Sequence, residues 1–232
     1  MIDQAMILAA GLGTRMQYLT KDIPKPMISV NGISLIERHL QYLYKNKISK
    51  LVINTHYKAE VFEEFVKSLE ISKKFELYFS REKDLLGTAG GVKNALSFLG
   101  KDPFFVINSD SIFVDQESAF DLLEARWDRD YMPMLMLLAK KDKAFGYWAK
   151  GDFDMDAHGR LNQNDETRDF INPGMYLMDY KLFDSYKNDV LQFYPEVFKD
   201  LMNQDKLYGC VYNGDWYHIG DLKAYEIYSN LK

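Results

Sequence analysis

The chain alternates short, wholly apolar runs with longer stretches in which apolar positions recur every three or four residues. Residues 5–10 are all apolar, which predicts a strand buried on both faces, and the glycine-rich turn Gly11-Leu12-Gly13 ends it. Residues 34–44 carry Leu35, Ile36, Leu40 and Leu43 at helical spacing, opened by the capping-box pair Ser34 and Glu37. Strands are predicted at 51–54 and 75–79, with a helix between them at 60–69. A helix over 90–99 is entered through a glycine-rich turn, and the apolar run 104–108 then ends in Asn108-Ser109-Asp110. A helix at 117–127 and a strand at 134–138 follow.

Strands alternating with helices predict a mainly parallel α/β sheet built from βαβ crossovers. Ligands of such sheets bind beyond the carboxyl ends of the strands, where the loops 11–16 and 108–111 fall. From about Phe145 the texture changes. Residues 146–169 are rich in Gly, Asp and Asn, and Asp156-Ala157-His158-Gly159 predicts a hairpin turn. Strands at 170–178 and 207–212 flank helical segments, and a helix over 222–231 closes the chain. No repeat, low-complexity tract or long linker interrupts the 232 residues, so one domain is expected.

Charge and composition narrow the partners. A net charge of −5 argues against a nucleic-acid surface, which needs a basic face, but leaves room for a local basic pocket. The single cysteine, Cys210, excludes an internal disulfide and a cysteine zinc cluster, and is expected to be a buried apolar residue of a late strand. Residues 1–4 lack the basic and apolar regions of a secretory signal, and no apolar run approaches the length of a membrane span. The expectation is a cytoplasmic protein with no membrane partner.

The candidate chemistry sits in Leu8-Ala9-Ala10-Gly11-Leu12-Gly13-Thr14-Arg15-Met16 and the downstream Pro24-Lys25-Pro26. Backbone amides in a glycine turn can converge on phosphate oxygens because no Cβ blocks the approach. Arg15 adds a forked cation suited to a triphosphate, and Lys25 a point charge on a backbone restricted by its prolines. The dinucleotide fingerprint fails because Met16 occupies its third glycine position, and the Walker loop fails because no Gly-Lys pair is followed by Ser or Thr. His39, His56 and His158 show no metal-like spacing and read as structural.

With these residues in view, the sequence resembles the sugar-1-phosphate nucleotidyltransferases. The resemblance continues through Leu86-Gly87-Thr88-Ala89-Gly90-Gly91, Asn108-Ser109-Asp110, Gly151-Asp152-Phe153, Pro173-Gly174-Met175-Tyr176 and Trp216-Tyr217-His218-Ile219-Gly220. It covers essentially the whole chain. Its details are most similar to the N-acetylmuramate 1-phosphate uridylyltransferase and mannose-1-phosphate guanylyltransferase group. The resemblance implies the Rossmann-like nucleotide-diphospho-sugar transferase fold, with about 1–140 as the nucleotide-binding half and about 141–232 as the sugar-phosphate half. The implied substrates are a nucleoside triphosphate and a sugar 1-phosphate: UTP with N-acetylmuramate 1-phosphate, or GTP with mannose 1-phosphate, or CTP with a choline-type phosphate. A non-catalytic sensor of the same ligands is the rival class.

The resemblance also implies roles. Ala10, Gly11, Gly13, Thr14 and Arg15 would hold the triphosphate, Lys25 the α-phosphate and the incoming sugar phosphate, and Gly87, Thr88 and Asn108 the rest of the nucleotide. Asp152, Asn172 and Gly174 would line the sugar side. Asp110 would hold Mg²⁺, or alternatively Mn²⁺. The family's second metal ligand is an Asp where this chain has His218. Three readings follow: His218 binds a softer metal, Asp110 holds Mg²⁺ with water and nucleotide, or activity is reduced. The second is favoured, and Asp221, three residues on, is either a further ligand or a helix cap. Oligomeric state stays open.

Overall fold

The apolar runs become strands of one eight-stranded sheet. The computed structural model describes residues 1–164 and 167–231; Asp165 and Glu166, within the polar stretch, and Lys232 lie outside the described residues. Strands β1 (Gln4–Leu8), β2 (Lys50–Thr55), β3 (Glu76–Arg81) and β4 (Phe104–Asn108) are parallel, in the spatial order β3-β2-β1-β4. The helices between them cover both faces. Ala5, Ile7 and Ile53 pack with Leu40 and Leu43 of α1 (Leu35–Lys45) and Phe62 of α2 (Ala59–Ser68). Met6, Val52 and Val106 point the other way, against Val92 and Ala95 of α3 (Gly87–Leu99). Alternate residues thus meet opposite helical layers, which is why each run is apolar throughout. Helix α1 starts as the sequence predicts, with Ser34 Oγ accepting the Glu37 amide at 3.2 Å.

Helix α3 departs from expectation by starting at Gly87, not at residue 90. Its first amides are satisfied from a distant segment. The Leu191 carbonyl accepts from Ala89 N at 3.1 Å and Gly90 N at 2.9 Å, and Gln192 Oε1 accepts from Thr88 N at 3.2 Å. Gly90 serves close approach and not a turn, since a Cβ there would lie 2.3 Å from the Asp189 carbonyl oxygen. Tertiary contact has overridden the poor helix propensity of glycine.

Beyond β4, β5 (Ser111–Val114) leaves the main sheet and α4 (Ala119–Arg126) leads into β6 (Met134–Lys140). After the short β7 (Ala144–Phe145), the single strand expected at 170–178 is broken into β8 (Phe170–Ile171) and β9 (Met175–Met178), both antiparallel to β6. Ile171 faces Ala139 and Tyr176 faces Met136, so the five-residue step from 171 to 176 opposes a three-residue step and two residues are extra. The excess bulges out as Asn172-Pro173-Gly174, since Pro173 lacks a ladder donor. The expected turn at 156–159 joins the short strands Asp154–Met155 and Leu161–Asn162.

Strand β10 (Leu207–Tyr212) matches expectation and runs parallel to β6, so the later half of the chain completes the sheet begun by the first. Cys210 is buried in it, and burial pushes its thiol up to about 11. Strand β11 (Asp215–His218), not foreseen in the sequence, lies between β5 and β7 in a separate small sheet. The last helix is α5 (Leu222–Ser229). No helix among the described residues is long and apolar enough to cross a membrane.

Candidate functional site

Three parallel strands end in one hydrogen-bonded chain. Ala9 N, just past β1, donates to Asn54 Oδ1 of β2 at 2.7 Å, and Asn54 Nδ2 donates to Glu82 Oε1 beyond β3 at 2.7 Å. Glu82 Oε2 in turn accepts from Leu86 N at 3.1 Å, at the entrance to α3. This ties down the root of the glycine turn. Further on, Gly13 adopts φ 66°, and its carbonyl accepts from Met16 N at 2.9 Å and Thr20 Oγ1 at 3.0 Å. A side chain there is excluded twice, by the left-handed backbone and by Lys25 Cβ only 3.0 Å from where its Cβ would sit.

Lys25 begins a short 3₁₀ turn behind Pro24 and is 8% exposed, so its ammonium is aimed by burial. Lys25 Nζ meets Asp110 Oδ2 at 2.7 Å. Desolvation at this partly buried carboxyl favours its neutral form, but the Lys25 charge and His218 outweigh it and hold Asp110 well below the usual carboxylate range. Asp110 is therefore an anion at any working pH.

His218 reaches the same carboxylate through sheet register. Strand β11 pairs His218 with Ser111, the Ile219 amide donates to the Asp110 carbonyl at 2.8 Å, and His218 Nε2 lies 3.4 Å from Asp110 Oδ2. The imidazole stacks on Trp216, ring centres 5.5 Å apart and 18° between planes. Asp221 is not part of this cluster: its Oδ1 caps α5 by accepting from Ala224 N at 2.8 Å.

Among the described residues no group of three or more His, Cys, Asp or Glu could hold a metal by itself. One carboxylate beside an imidazole and an ammonium fits a hard divalent cation that brings water and phosphate oxygens with it, and not a cage made of protein alone.

Lys25 and Asp110 border a cleft of about 470 Å³. Every residue expected to meet the nucleotide lines it: Ala10, Gly11, Gly13, Thr14 and Arg15 from the turn, and Gly87, Thr88 and Asn108 opposite, together with Lys25 and Asp110. Thr88, however, spends its amide on Gln192, and its Oγ1 accepts from Phe193 N at 3.1 Å. That wall is therefore stitched to the later half of the chain.

The residues expected on the sugar side are placed elsewhere. Asp152 Oδ1 accepts from Tyr147 OH at 2.7 Å and Oδ2 from Asn172 N at 2.8 Å. Asp152 and Asn172 both line a second cavity of about 260 Å³. Gly174 lines neither cavity. Its φ of 77° turns the bulge back beneath Asn108, whose amide donates to the Gly174 carbonyl at 2.8 Å, and a Cβ would fall 2.1 Å from Asn108 Nδ2. Gly174 thus sets the asparagine that lines the first cleft.

Asn54, Glu82 and Gln192 line the cleft without having been foreseen. A signal existed for the first two, which end or follow parallel strands on the ligand-binding edge. Gln192 lies in a segment with no periodic pattern.

Behind Asp110, His39 of α1 is 3% exposed. Burial pushes its imidazole down to about 4, only partly opposed by the hydrogen bond to the Ser109 backbone and the field of Asp110. Above pH 6.5 the ring is neutral whether the chain is folded or not; below it the unfolded chain binds a proton that the folded chain refuses. Stability is therefore lost as pH falls from 6.5 toward 4, by on the order of 3 kcal/mol from this residue. Urea midpoints at neutral pH and near pH 4.5 check this: His39→Gln flattens the acid slope relative to wild type.

Comparison with known proteins agrees with this geometry. The sequence pattern of the Nucleotidyl transferase family matches residues 4–231. The N-acetylmuramate alpha-1-phosphate uridylyltransferase of Caulobacter vibrioides is 32% identical over 225 residues, 95% of this chain and 93% of that one. The D-glycero-alpha-D-manno-heptose 1-phosphate guanylyltransferase of Campylobacter jejuni is 28% identical over 229 residues, 94% of each chain. Among solved structures, HddC from Yersinia pseudotuberculosis complexed with GMP-PN superposes with a TM-score of 0.81 over 98% of both chains at 24% identity, which shows the shared fold.

Proposed function

Because the chain belongs to the nucleotidyl transferase family, we propose that it condenses a nucleoside triphosphate with a sugar 1-phosphate, forming a nucleotide-linked sugar and releasing pyrophosphate. The observation that carries this reading is the Lys25–Asp110 pair, 2.7 Å apart, on a cleft whose other wall is the glycine turn ending in Arg15.

In the reaction a sugar-phosphate oxygen forms a bond to the α-phosphorus. The bond from that phosphorus to the bridging oxygen breaks, and pyrophosphate leaves with the electron pair. The attacking oxygen is already anionic, so no general base is needed. What the protein must supply is the approach of two polyanions and cover for the charge that gathers between them. The Gly11–Gly13 amides and Arg15 hold the outer phosphates, and Lys25 bridges the α-phosphate and the incoming phosphate. Gly87, Thr88 and Asn108 bound the nucleoside, while Asp152 and Asn172 accept and donate to the sugar hydroxyls. Residues 1–140 then serve the nucleotide and 141–232 the sugar phosphate. A divalent cation, when bound, neutralises phosphate charge in this class of reaction, and Asp110 is the residue that would hold it, with His218 beside it. We read the ion as Mg²⁺, with Mn²⁺ as the alternative.

The 32% identical relative supports UTP with N-acetylmuramate 1-phosphate as the substrate pair. The guanylyltransferase from Campylobacter jejuni supports a second reading, GTP with a mannose-type 1-phosphate. Pyrophosphate release, measured for UTP, GTP, CTP, ATP and dTTP against a panel of sugar 1-phosphates, tests both. Nucleotide binding without turnover on any pair would sink the enzyme in favour of a sensor.

The metal position yields its own prediction. Imidazole is a poor ligand for Mg²⁺ and a better one for Mn²⁺. Wild type is expected to turn over with either metal, and His218→Asp to move the order of the two toward Mg²⁺. Rates in the two metals for both proteins decide it; an unchanged order leaves His218 outside the metal's reach.

A further inference from the structure

We infer that Gln192 is a specificity residue for the nucleobase: its side-chain NH₂ donates to the exocyclic carbonyl of a keto base, so that the cleft selects uracil-, thymine- or guanine-bearing nucleotides against cytosine and adenine. This rests on the reading above that Gly87 and Thr88 bound the nucleoside.

The other polar side chains on this part of the cleft are already committed to the scaffold. Thr88 gives its amide to Gln192 Oε1 at 3.2 Å, and its hydroxyl donates to the same oxygen at 3.4 Å while accepting from Phe193 N at 3.1 Å. Asn54 accepts from Ala9 N and donates to Glu82 Oε1, and Glu82 Oε2 accepts from Leu86 N. Asn54 and Glu82 are also buried, whereas Gln192 is exposed on the same cleft. Gln192 Nε2 makes no hydrogen bond among the described residues.

The way the Gln192 amide faces is fixed by chemistry. The Thr88 backbone N–H can only donate, so the atom that meets it must be the amide oxygen; turning the amide over would set donor against donor. That oxygen takes both Thr88 donors, which uses its two lone pairs. The nitrogen is left over Gly87, where a Cβ would lie only 2.6 Å from Nε2, so the amide packs into the space that a glycine leaves open. The backbone behind it is anchored too. Gln192 N donates to Glu196 Oε2 at 2.8 Å, and the Leu191 carbonyl holds two amides of α3. Gln192 thus offers the cleft a pair of N–H donors on a held amide, and no acceptor. Uracil and thymine present O4 and guanine O6 where cytosine and adenine present an amino group. A carbonyl completes the bond, whereas an amino group leaves two donors facing each other unpaired, a mismatch that costs more than the bond contributes.

The test is calorimetric titration of the full chain, with Mg²⁺ and without sugar phosphate, using UTP against CTP and GTP against ATP. Each pair is matched in ring size and opposed at the exocyclic group. Wild type is expected to bind the keto member about tenfold or more tightly in every pair that it binds. Gln192→Glu keeps the oxygen that accepts from Thr88 and replaces the NH₂ by an acceptor, so it should bind the amino member at least as tightly as the keto member. Gln192→Met offers neither group and should narrow the difference to within about threefold. A wild type that binds nucleotide without preferring the keto member overturns the inference alone. So does a preference that survives in Gln192→Glu, even where that variant binds both members more weakly; Gln192 would then support the wall without reading the base. A wild type that binds none of the four nucleotides overturns the reading of the cleft itself, and the inference with it.

Discussion

Lys25→Met abolishes pyrophosphate release, lowering kcat by about 10³-fold or more, in a protein that still folds and binds nucleotide. Methionine keeps most of the stem volume and removes only the charge. In the proposed reaction that charge stands between the two phosphates as they close, where it stabilises the transition state more than either bound substrate, so the loss falls on kcat and not chiefly on KM. The same ammonium is the counter-ion of Asp110 at 2.7 Å, and removing it leaves a partly buried carboxylate with His218 as its remaining partner. Some loss of stability therefore accompanies the loss of rate. The Lys25→Met/Asp110→Asn double variant separates the two: with both charges gone it regains thermal stability but no turnover. Single-turnover kinetics and melting curves on the three proteins check this. Lys25→Met activity within about threefold of wild type removes Lys25 from the reacting centre.

That the Lys25–Asp110 pair was legible in the sequence, and much of its surroundings was not, has a physical cause. Lys25 and Asp110 each follow an unmistakable local pattern, a proline-framed lysine and an aspartate closing an apolar strand. Residues 5–8 and 104–107 are apolar at every position because helices cover both faces, so their strands declare themselves. Glu82 declares nothing. Within Arg81-Glu82-Lys83-Asp84 it reads as one charge of a solvated run, yet it is 5% exposed and accepts from Asn54 and Leu86. Its role is created by where three strands end. Strand β11 is hidden for a related reason: Asp215–His218 is short and mixed in polarity, and its partner Ser111–Val114 comes from a distant stretch of chain. Residues 87–91 mislead outright. Glycine content predicts a turn, whereas the Leu191 carbonyl and the Gln192 side chain satisfy the amides that begin α3. Local propensity identified the strands and the charged residues; the walls of the cleft are products of long-range contact.

Asp110→Asn is expected to show a crossing signature that no purely structural role predicts. In the presence of a divalent metal, turnover falls by about 10³-fold or more, and raising Mg²⁺ or Mn²⁺ does not recover it, because an amide oxygen without charge is a weak ligand for a hard cation. In the absence of metal the effect on nucleotide binding has the opposite sign. Wild-type Asp110 is held as an anion by Lys25 and His218 and faces the cleft proposed to take the phosphates, where it would repel the bare triphosphate and occupy the ammonium that would meet it. Asparagine removes the repulsion and releases Lys25. Metal-free nucleotide should therefore bind Asp110→Asn more tightly than wild type, and metal-bound nucleotide less tightly. Titrations of both proteins with and without EDTA measure all four affinities. Tighter metal-free binding together with weaker metal-bound binding identifies Asp110 as the residue through which the cation acts. Weaker binding under both conditions would instead make the carboxylate a support for the Lys25 side chain, and the cation would have to be held elsewhere.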